Sequence, residues 1–398
     1  MNSLAVGIAG LGGGAREMIE TMETNPSIKI SAAADVDPDQ LERFRNRFGT
    51  PTYSSVFEMC QDPDIDAIYI ATPNRFHTEH ALAALRHGKH VLMEKPMGTR
   101  LSDADTLIDA AEAAGLVLMV SAPHSVEPNV RYVSDIVQER TFGELWAIQS
   151  MHYADWLYRP RTQEELNPDP TFGGGVVFRQ GPHQLDMIRA IGGGLITSLE
   201  ATVTRFERAR PVPGSYICTM RFENGAVATA SYSGYDRFHS ASMSFGLGDD
   251  VTGGYGLQRT ASRAFADAAA ETATKRSEGF GGAERGTTRP VAKMPPNFQW
   301  VSSGLWLISL EHADIRLTPT GLMIYGEDER ENIEFDTSDQ GRHEVIRRFY
   351  TAISTKEPPE HDGRWAKATE EVLLAVEESS QTGNRVYLNH QCADSRGR

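Results

Sequence analysis

Three observations predict an α/β protein in two parts. Strand and helix patterns alternate through the first 120 residues, the strands then lengthen and alternate apolar with polar positions, and 398 residues exceed what one such sheet needs. The first part reads as a parallel sheet with helices on both faces. The second reads as an α+β domain built on an open, largely antiparallel sheet. The expected division is 1–122 and 123–398, with 235–300 as an inserted lid or arm.

Leu4-Ala5-Val6-Gly7-Ile8-Ala9 is a short apolar run closed by Gly10, as suits a buried parallel strand, and Arg16 to Thr24 has helical spacing. Ile28 to Ala34 is a second strand, closed by Asp35, and Pro38 to Phe48 is a helix that tolerates Pro38 in its first turn. Ala67 to Ala71 is a strand broken by Pro73, and Thr78 to His87 a helix ended by Gly88. His90 to Met93 is a strand, Ser102 to Ala114 a helix ended by Gly115, and Leu116 to Val120 a strand. Farther on, Trp146 to Tyr153, Ser198 to Phe206, Tyr216 to Phe222 and Ala226 to Ser233 read as longer strands, the last two joined by the hairpin signal Asn224-Gly225. A helix from about Pro182 to Ile191 follows Gly173-Gly174-Gly175. Gly234 to Trp300 is rich in Gly and Ala, with a helical piece near Thr260 to Arg276, and is too long for a plain loop. Arg364 to Thr382 is a helix ended by Gly383, and Arg385 to Leu388 a short strand.

The chain carries 39 Lys plus Arg against 54 Asp plus Glu, a net charge of −15. That balance argues against nucleic acid and anionic membranes as partners and leaves room for one basic pocket that takes a small anionic substrate. No apolar run approaches a membrane span. The first arginine is Arg16, so the early apolar residues read as a strand and not as a signal peptide. Cys60, Cys218 and Cys392 are scattered and odd in number, which suggests free thiols in a reducing cytoplasm. No metal-ligand spacing is present, and no metal is expected.

Gly10-Leu11-Gly12-Gly13-Gly14-Ala15 joins a predicted strand to a predicted helix in the pattern G-x-G-x-x-G/A. Gly10, Gly12 and Gly13, with Ala15 at the last position, let the backbone approach a pyrophosphate seated on the helix N-terminus. A glycine turn without a ligand is the plain alternative, and the strand–turn–helix context favours the dinucleotide. Asp35 lies 23 residues after Gly12 at the end of the second strand. An acid there accepts hydrogen bonds from the adenosine ribose and repels a 2′-phosphate. Val36 and Asp37 follow it instead of a cation, so NAD is expected over NADP; a turn or cap role fits Asp37 better. Glu94-Lys95-Pro96 sets a lysine at the carboxyl end of a parallel strand. Taken alone it reads as a surface lysine. Near a nicotinamide cation in a partly dry site its pKa should fall, which would let it act as acid or base.

Together with Ala71-Thr72-Pro73-Asn74 and His77, these motifs resemble the Gfo/Idh/MocA oxidoreductase family, over residues 1–233 and again over Arg364 to Leu388. The resemblance implies a Rossmann domain followed by an open-sheet α+β domain, and hydride transfer between a nicotinamide and usually a sugar or other polyol carbon. It implies Thr72, Pro73, Asn74 and His77 near the cofactor, Glu94 as a cofactor contact and Lys95 as a catalytic residue. The family's second motif, G-G-G-x-x-x-D-x-G-x-H-x-x-D, is met by Gly173 to Asp186, with His183 and Asp186 aligned and Arg179 in place of the substrate-side Asp. An Asp there suits a hydroxyl, whereas the rigid fork of an arginine suits a carboxylate. In Trp156-Leu157-Tyr158-Arg159-Pro160-Arg161, the cations Arg159 and Arg161 with Trp156 would cap a flat, anionic substrate. For Arg161 alone a solvated surface cation is the plainer reading. Ser121-Ala122-Pro123-His124-Ser125 stands where the family usually carries Arg-Phe, which leaves His124 either a second substrate-side histidine or a hinge residue.

The two arginine-bearing segments resemble one branch of that family, the phthalate 4,5-cis-dihydrodiol dehydrogenases of bacterial aromatic degradation. The expected reaction is NAD-dependent oxidation of a carboxylated cis-dihydrodiol to a dihydroxyphthalate. His183 or Lys95 takes the hydroxyl proton, and Arg179, helped by Arg159 or Arg161, binds carboxylates. The alternatives are a dehydrogenase of a sugar, sugar acid or inositol, an aldehyde dehydrogenase acting on a cyclised hemiacetal, and a non-catalytic nicotinamide-sensing regulator, which has no need of Lys95 and His183. Family members cover the open sheet by pairing subunits, so a cytoplasmic homo-oligomer is expected.

Overall fold

The computed structural model describes residues 3–235, 240, 265–282, 304–318, 320–336 and 341–393. Its first half runs β1 (Leu4–Ala9), α1 (Gly13–Thr24), β2 (Ile28–Ala34), α2 (Pro38–Phe48), β3 (Thr52–Tyr53), α3 (Val56–Cys60), β4 (Ala67–Ile70), α4 (His77–Arg86), β5 (His90–Glu94), α5 (Leu101–Ala114) and β6 (Leu118–Ser121). The six strands form one parallel sheet in the order β3-β2-β1-β4-β5-β6. The chain runs from β1 outward through β2 and β3 on one side and crosses back to β4 on the other, so a crevice opens at the carboxyl ends of β1 and β4, beside Gly10 and Ala71.

The second half runs α6 (Pro128–Glu139), β7 (Leu145–Tyr153), α7 (Gly175–Arg179), α8 (Gly181–Gly192), β8 (Ile196–Thr204), β9 (Ser215–Phe222), β10 (Val227–Ser233) and α9 (Ala268–Ser277). It continues with β11 (Leu305–Leu310), β12 (Ala313–Thr318), β13 (Gly321–Gly326), β14 (Arg330–Glu334), α10 (Gly341–Thr355), α11 (Gly363–Thr382) and β15 (Val386–Tyr387). Nine strands make one sheet in the order β14-β13-β12-β11-β7-β10-β9-β8-β15. Every pair is antiparallel except β7 with β10. That parallel pair sits at the centre, because β8 and β9 extend the sheet to one side and β11 to β14 to the other. The helical piece expected near Thr260 to Arg276 is α9, Ala268–Ser277, and residues 260–264 lie outside the described residues. No described helix is long and apolar enough to cross a membrane.

One face of the parallel sheet packs on α3, α4 and α5. The other face buries Val6, Ile8, Met18 and Phe44 against Val345, Ile346 and Phe349 of α10 and against Phe280, just beyond α9. The last strand of the parallel sheet ends at Ser121 and the first of the nine-stranded sheet begins at Leu145, yet elements from far beyond complete the first core. Burying Phe280, 2% exposed, contributes about 1.5–3 kcal/mol. The inner face of the nine-stranded sheet lies on α8 and α11, joining Tyr216, Met220 and Trp306 to Leu185, Ile188 and Val376. This packing sets α8, and with it His183, at the mouth of the crevice.

Candidate active site

The glycine turn is shaped to receive a dinucleotide. Gly10 has φ of +91°, and a Cβ there would meet the Ala71 carbonyl oxygen at 2.8 Å and the Thr72 nitrogen at 2.9 Å, so only glycine lets β1 end this close to the β4 loop. Around Gly12 and Gly14 no atom lies within 4 Å of a would-be Cβ, and Gly12 caps α1 with no side-chain hydrogen bond. A helix N-terminus with no side-chain cap and open space around Gly12 and Gly14 is the environment a pyrophosphate needs, Gly13 alone having Lys275 and Glu278 nearby, and Ala15 begins the buried side of that helix. Asp35 holds the turn in place. Its Oδ2 accepts from Leu11 N at 2.6 Å and its Oδ1 from Asp37 N at 2.8 Å, while Asp37 caps α2. Each Asp35 oxygen keeps a second lone pair for a ribose hydroxyl. The residues present therefore fit NAD.

On the nicotinamide side, Lys95 leaves the end of β5 and donates from Nζ to the Arg179 carbonyl at 3.1 Å. Burial pushes its pKa down to about 8, with Glu94 opposing and Arg179, Arg342 and Arg161 adding to the fall. Glu94 is itself fixed by the Tyr69 hydroxyl, which donates to its Oε1 at 2.7 Å. His77 is buried, with Nδ1 facing the Pro96 carbonyl and Nε2 facing the Thr72 carbonyl, each at 2.8 Å. Burial lowers its pKa to about 4 while the two carbonyls pull it upward, and the uncharged ring donates to only one of them. The Thr72 hydroxyl pairs with His80 Nδ1 at 3.0 Å, Pro73 is exposed, and Asn74 is buried with Nδ2 donating to the Gly173 carbonyl at 3.4 Å. Arg179 Nε donates to that same carbonyl at 3.2 Å, so one oxygen of the glycine motif ties the cofactor loop to α7.

Between the two sheets lies a cleft of about 540 Å³ whose walls include Glu94, Lys95, His124, Arg159 and His183. The rings of His124 and His183 meet edge to face, with centroids 4.6 Å apart. Arg159 is held at the wall by Asp155, with Nε 2.7 Å from its Oδ1. The backbone under α8 needs its glycines: Gly175 has φ of +77°, and a Cβ there would lie 2.7 Å from the Pro213 carbonyl oxygen. Asp186, the last acid of the motif, turns inward. It accepts from Ser125 Oγ, Trp365 Nε1 and Thr369 Oγ1, locking α8 to α11 and to the turn that carries His124.

Two expectations are corrected. Arg161 does not reach the cleft. It is 6% exposed and stacks over the Trp156 ring at 3.9 Å, with Nε and Nη2 donating to the Trp156 carbonyl and Nη1 to Glu165 at 3.1 Å. Trp156, 2% exposed, is the floor under that cation and not a cap over substrate. Burial opposes ionisation of Glu165, yet Arg161, Arg179 and Lys275 outweigh it and hold its carboxyl down to about 2.

Sequence reasoning missed His152, Arg342 and His343, which also line the cleft. His152 stands in register with Tyr232 and Tyr216 across β7, β10 and β9, its ring 4.8 Å from Tyr232. A polar residue at an inward position of an alternating strand is the signal that marks it. Arg342 and His343 open α10, and Arg342 pairs with Glu17 of α1; no local motif announces them. Among the described residues no group of His, Cys, Asp and Glu is arranged to hold a metal ion, and all three cysteines are free.

A dinucleotide cradle at a switch point, a lysine with a lowered pKa and a cleft of histidines and arginines define a nicotinamide-dependent oxidoreductase. Residues 4–122 match the oxidoreductase family with an NAD-binding Rossmann fold, Gfo/Idh/MocA, and residues 130–246 match the C-terminal domain of that family. The chain is 33% identical, over 95% of each protein, to 1-carboxy-3-chloro-3,4-dihydroxycyclohexa-1,5-diene dehydrogenase of Comamonas testosteroni. A solved structure from Bordetella bronchiseptica RB50 is 37% identical, with a TM-score of 0.86 over 97% of this chain and 100% of that one. The WlbA dehydrogenase of Bordetella pertussis, crystallised with NADH and UDP-GlcNAcA, shares the fold at a TM-score of 0.69 and 18% identity, over 97% and 99% of the two chains. The chain belongs to the Gfo/Idh/MocA family and is an NAD-dependent oxidoreductase.

Proposed function

We propose that the protein oxidises a carboxylated cyclohexadiene cis-diol, phthalate 4,5-cis-dihydrodiol, to 4,5-dihydroxyphthalate in bacterial aromatic degradation. The observation that carries this reading is that Lys95, Arg159 and Arg342 and the imidazoles of His124, His152, His183 and His343 face one space, which Glu17, Glu20, Glu94 and Glu127 also line. Arg179, beside Lys95, replaces the acid that a sugar hydroxyl would favour. The name of the Comamonas relative, a dehydrogenase of a carboxylated dihydroxycyclohexadiene, supports the same substrate class.

NAD, when bound, supplies the hydride acceptor. Lys95, neutral above its lowered pKa, takes the proton of the reacting hydroxyl as the carbinol C–H bond breaks. His183 and His124 orient the two hydroxyls, and Arg159 with Arg179 binds the carboxylates. The ketone that forms tautomerises to the catechol, and aromatisation draws the reaction forward. The outer face of the nine-stranded sheet, where Ile217 is 62% exposed, supports a homo-oligomer, and the free cysteines suit a reducing cytoplasm.

Arginine variants test the carboxylate assignment. Arg159→Ala and Arg179→Ala are each expected to raise the KM for the dicarboxylate about tenfold or more, with little change in the KM for NAD. An unchanged KM for the dicarboxylate in both would overturn the assignment.

A further inference from the structure

We infer that Lys275 is a ligand of the cofactor's pyrophosphate, delivered to the glycine turn by a segment that the chain carries between β10 and β11. The segment 265–282 is docked on the dinucleotide domain by several independent contacts. Phe280 N donates to the Leu11 carbonyl at 2.9 Å, Arg43 Nε to the Phe280 carbonyl at 3.1 Å, and Gln40 Nε2 to the Arg276 carbonyl at 3.1 Å. The Phe280 ring stacks on Phe48 at 5.7 Å and packs on Phe44 at 5.6 Å.

These anchors bring the last turn of α9 over the first residue of α1. A Cβ at Gly13 would lie 3.8 Å from Lys275 Nζ and 3.7 Å from the Glu278 carbonyl oxygen. Gly13 opens the helix whose N-terminus no side chain caps, the place where a pyrophosphate sits. A diphosphate there lies between two positive poles, the helix terminus and the Lys275 ammonium. The ammonium pairs with Glu278 at 3.2 Å, which holds it at the turn. The other end of α9 is tied to the second domain, where Glu271 accepts from the Arg161 backbone at 3.0 Å and from Arg210 Nη2 at 2.7 Å. Lys275 also helps to depress the pKa of Glu165, so its charge is felt between the domains. The segment thus belongs to the cofactor site although it lies in the sequence of the other domain.

The test is binding by the full-length protein, without turnover, of NADH, ADP-ribose and adenosine. Lys275→Met is expected to raise the Kd of NADH and of ADP-ribose about tenfold, the size of one charge-assisted contact, and to leave adenosine unchanged. Lys275→Arg is expected to restore most of the loss. Unchanged affinity for ADP-ribose overturns the assignment, and so does an equal loss for all three ligands, which marks a purely structural role. Should Lys275→Met fail to fold, hydrogen exchange over residues 268–282 in the unaltered protein reads the same contact. ADP-ribose is expected to slow it and adenosine to leave it alone; no slowing with ADP-ribose overturns the proposal.

Discussion

Lys95 is the side chain on which the proposed chemistry turns, and its pH dependence has a definite sign. Only the neutral amine accepts a proton. With the pKa lowered to about 8, the active fraction grows as pH rises toward that value and levels off above it. The expected kcat/KM profile climbs below about pH 8 and flattens beyond. Lys95→Met is expected to remove that limb and to lower kcat by about 10²–10⁴-fold. A limb that survives in Lys95→Met and vanishes in His183→Ala would move the base to His183. The residues legible in the sequence are those in short motifs: the glycine turn, Asp35, Glu94-Lys95 and His183. Arg161 and Trp156 misled because the sequence displays a cation and an aromatic but not the Glu165 carboxylate and Trp156 carbonyl that occupy the guanidinium. Arg342 and His343 enter the cleft from a helix more than 200 residues away from the glycine turn, through packing that no local pattern encodes.

Helices and strands were most legible where burial is two-sided. Parallel strands such as β4 are apolar throughout, and the helices between them end at glycines such as Gly115, which adopts a left-handed conformation as the C-cap of α5. The strands β11 to β14 and the helices α6 and α10 are not legible in the sequence. β14 is an exposed polar edge, Arg-Glu-Asn-Ile-Glu, without alternation, and α10 mixes arginines with its apolar face. That α10 and Phe280 complete the core of the first sheet follows from tertiary packing alone. The turn from β1 into α1 offers a direct test of how closely its elements approach. Gly10→Ala is expected to cost about 1–3 kcal/mol of stability, through both its positive φ and its contact with Ala71, and to weaken NADH binding. Denaturant unfolding and a cofactor titration measure the two; an unperturbed variant would show that the loops part readily.

Across the molecule, the two sheets share one cleft, and among the described residues Ile217 on the far face of the nine-stranded sheet is 62% exposed. In register across that face run Ile217, Ser231, Met151 and Leu305, a row with three apolar side chains. A second copy of this chain would bury it. Sedimentation or light scattering is expected to give a mass above that of one 43.8 kDa chain, and Ile217→Glu to shift it toward the monomer. A monomeric mass for the unaltered protein would contradict the pairing. Charge at this scale also bears on the substrate: the chain carries a net −15 and Glu17, Glu20, Glu94 and Glu127 share the cleft with Lys95, Arg159 and Arg342, so an anion is held there by directed contacts to single cations and not by the overall field.

The most direct test is absorbance in the reduced-nicotinamide band with NAD or NADP and a panel of phthalate 4,5-cis-dihydrodiol, myo-inositol, an aldose and a sugar acid. Rapid reduction of NAD by the dihydrodiol, with little from NADP or from the other substrates, is the expected result. Turnover of inositol or an aldose with none of the dihydrodiol, or cofactor binding with no turnover of any, would contradict the proposed reaction.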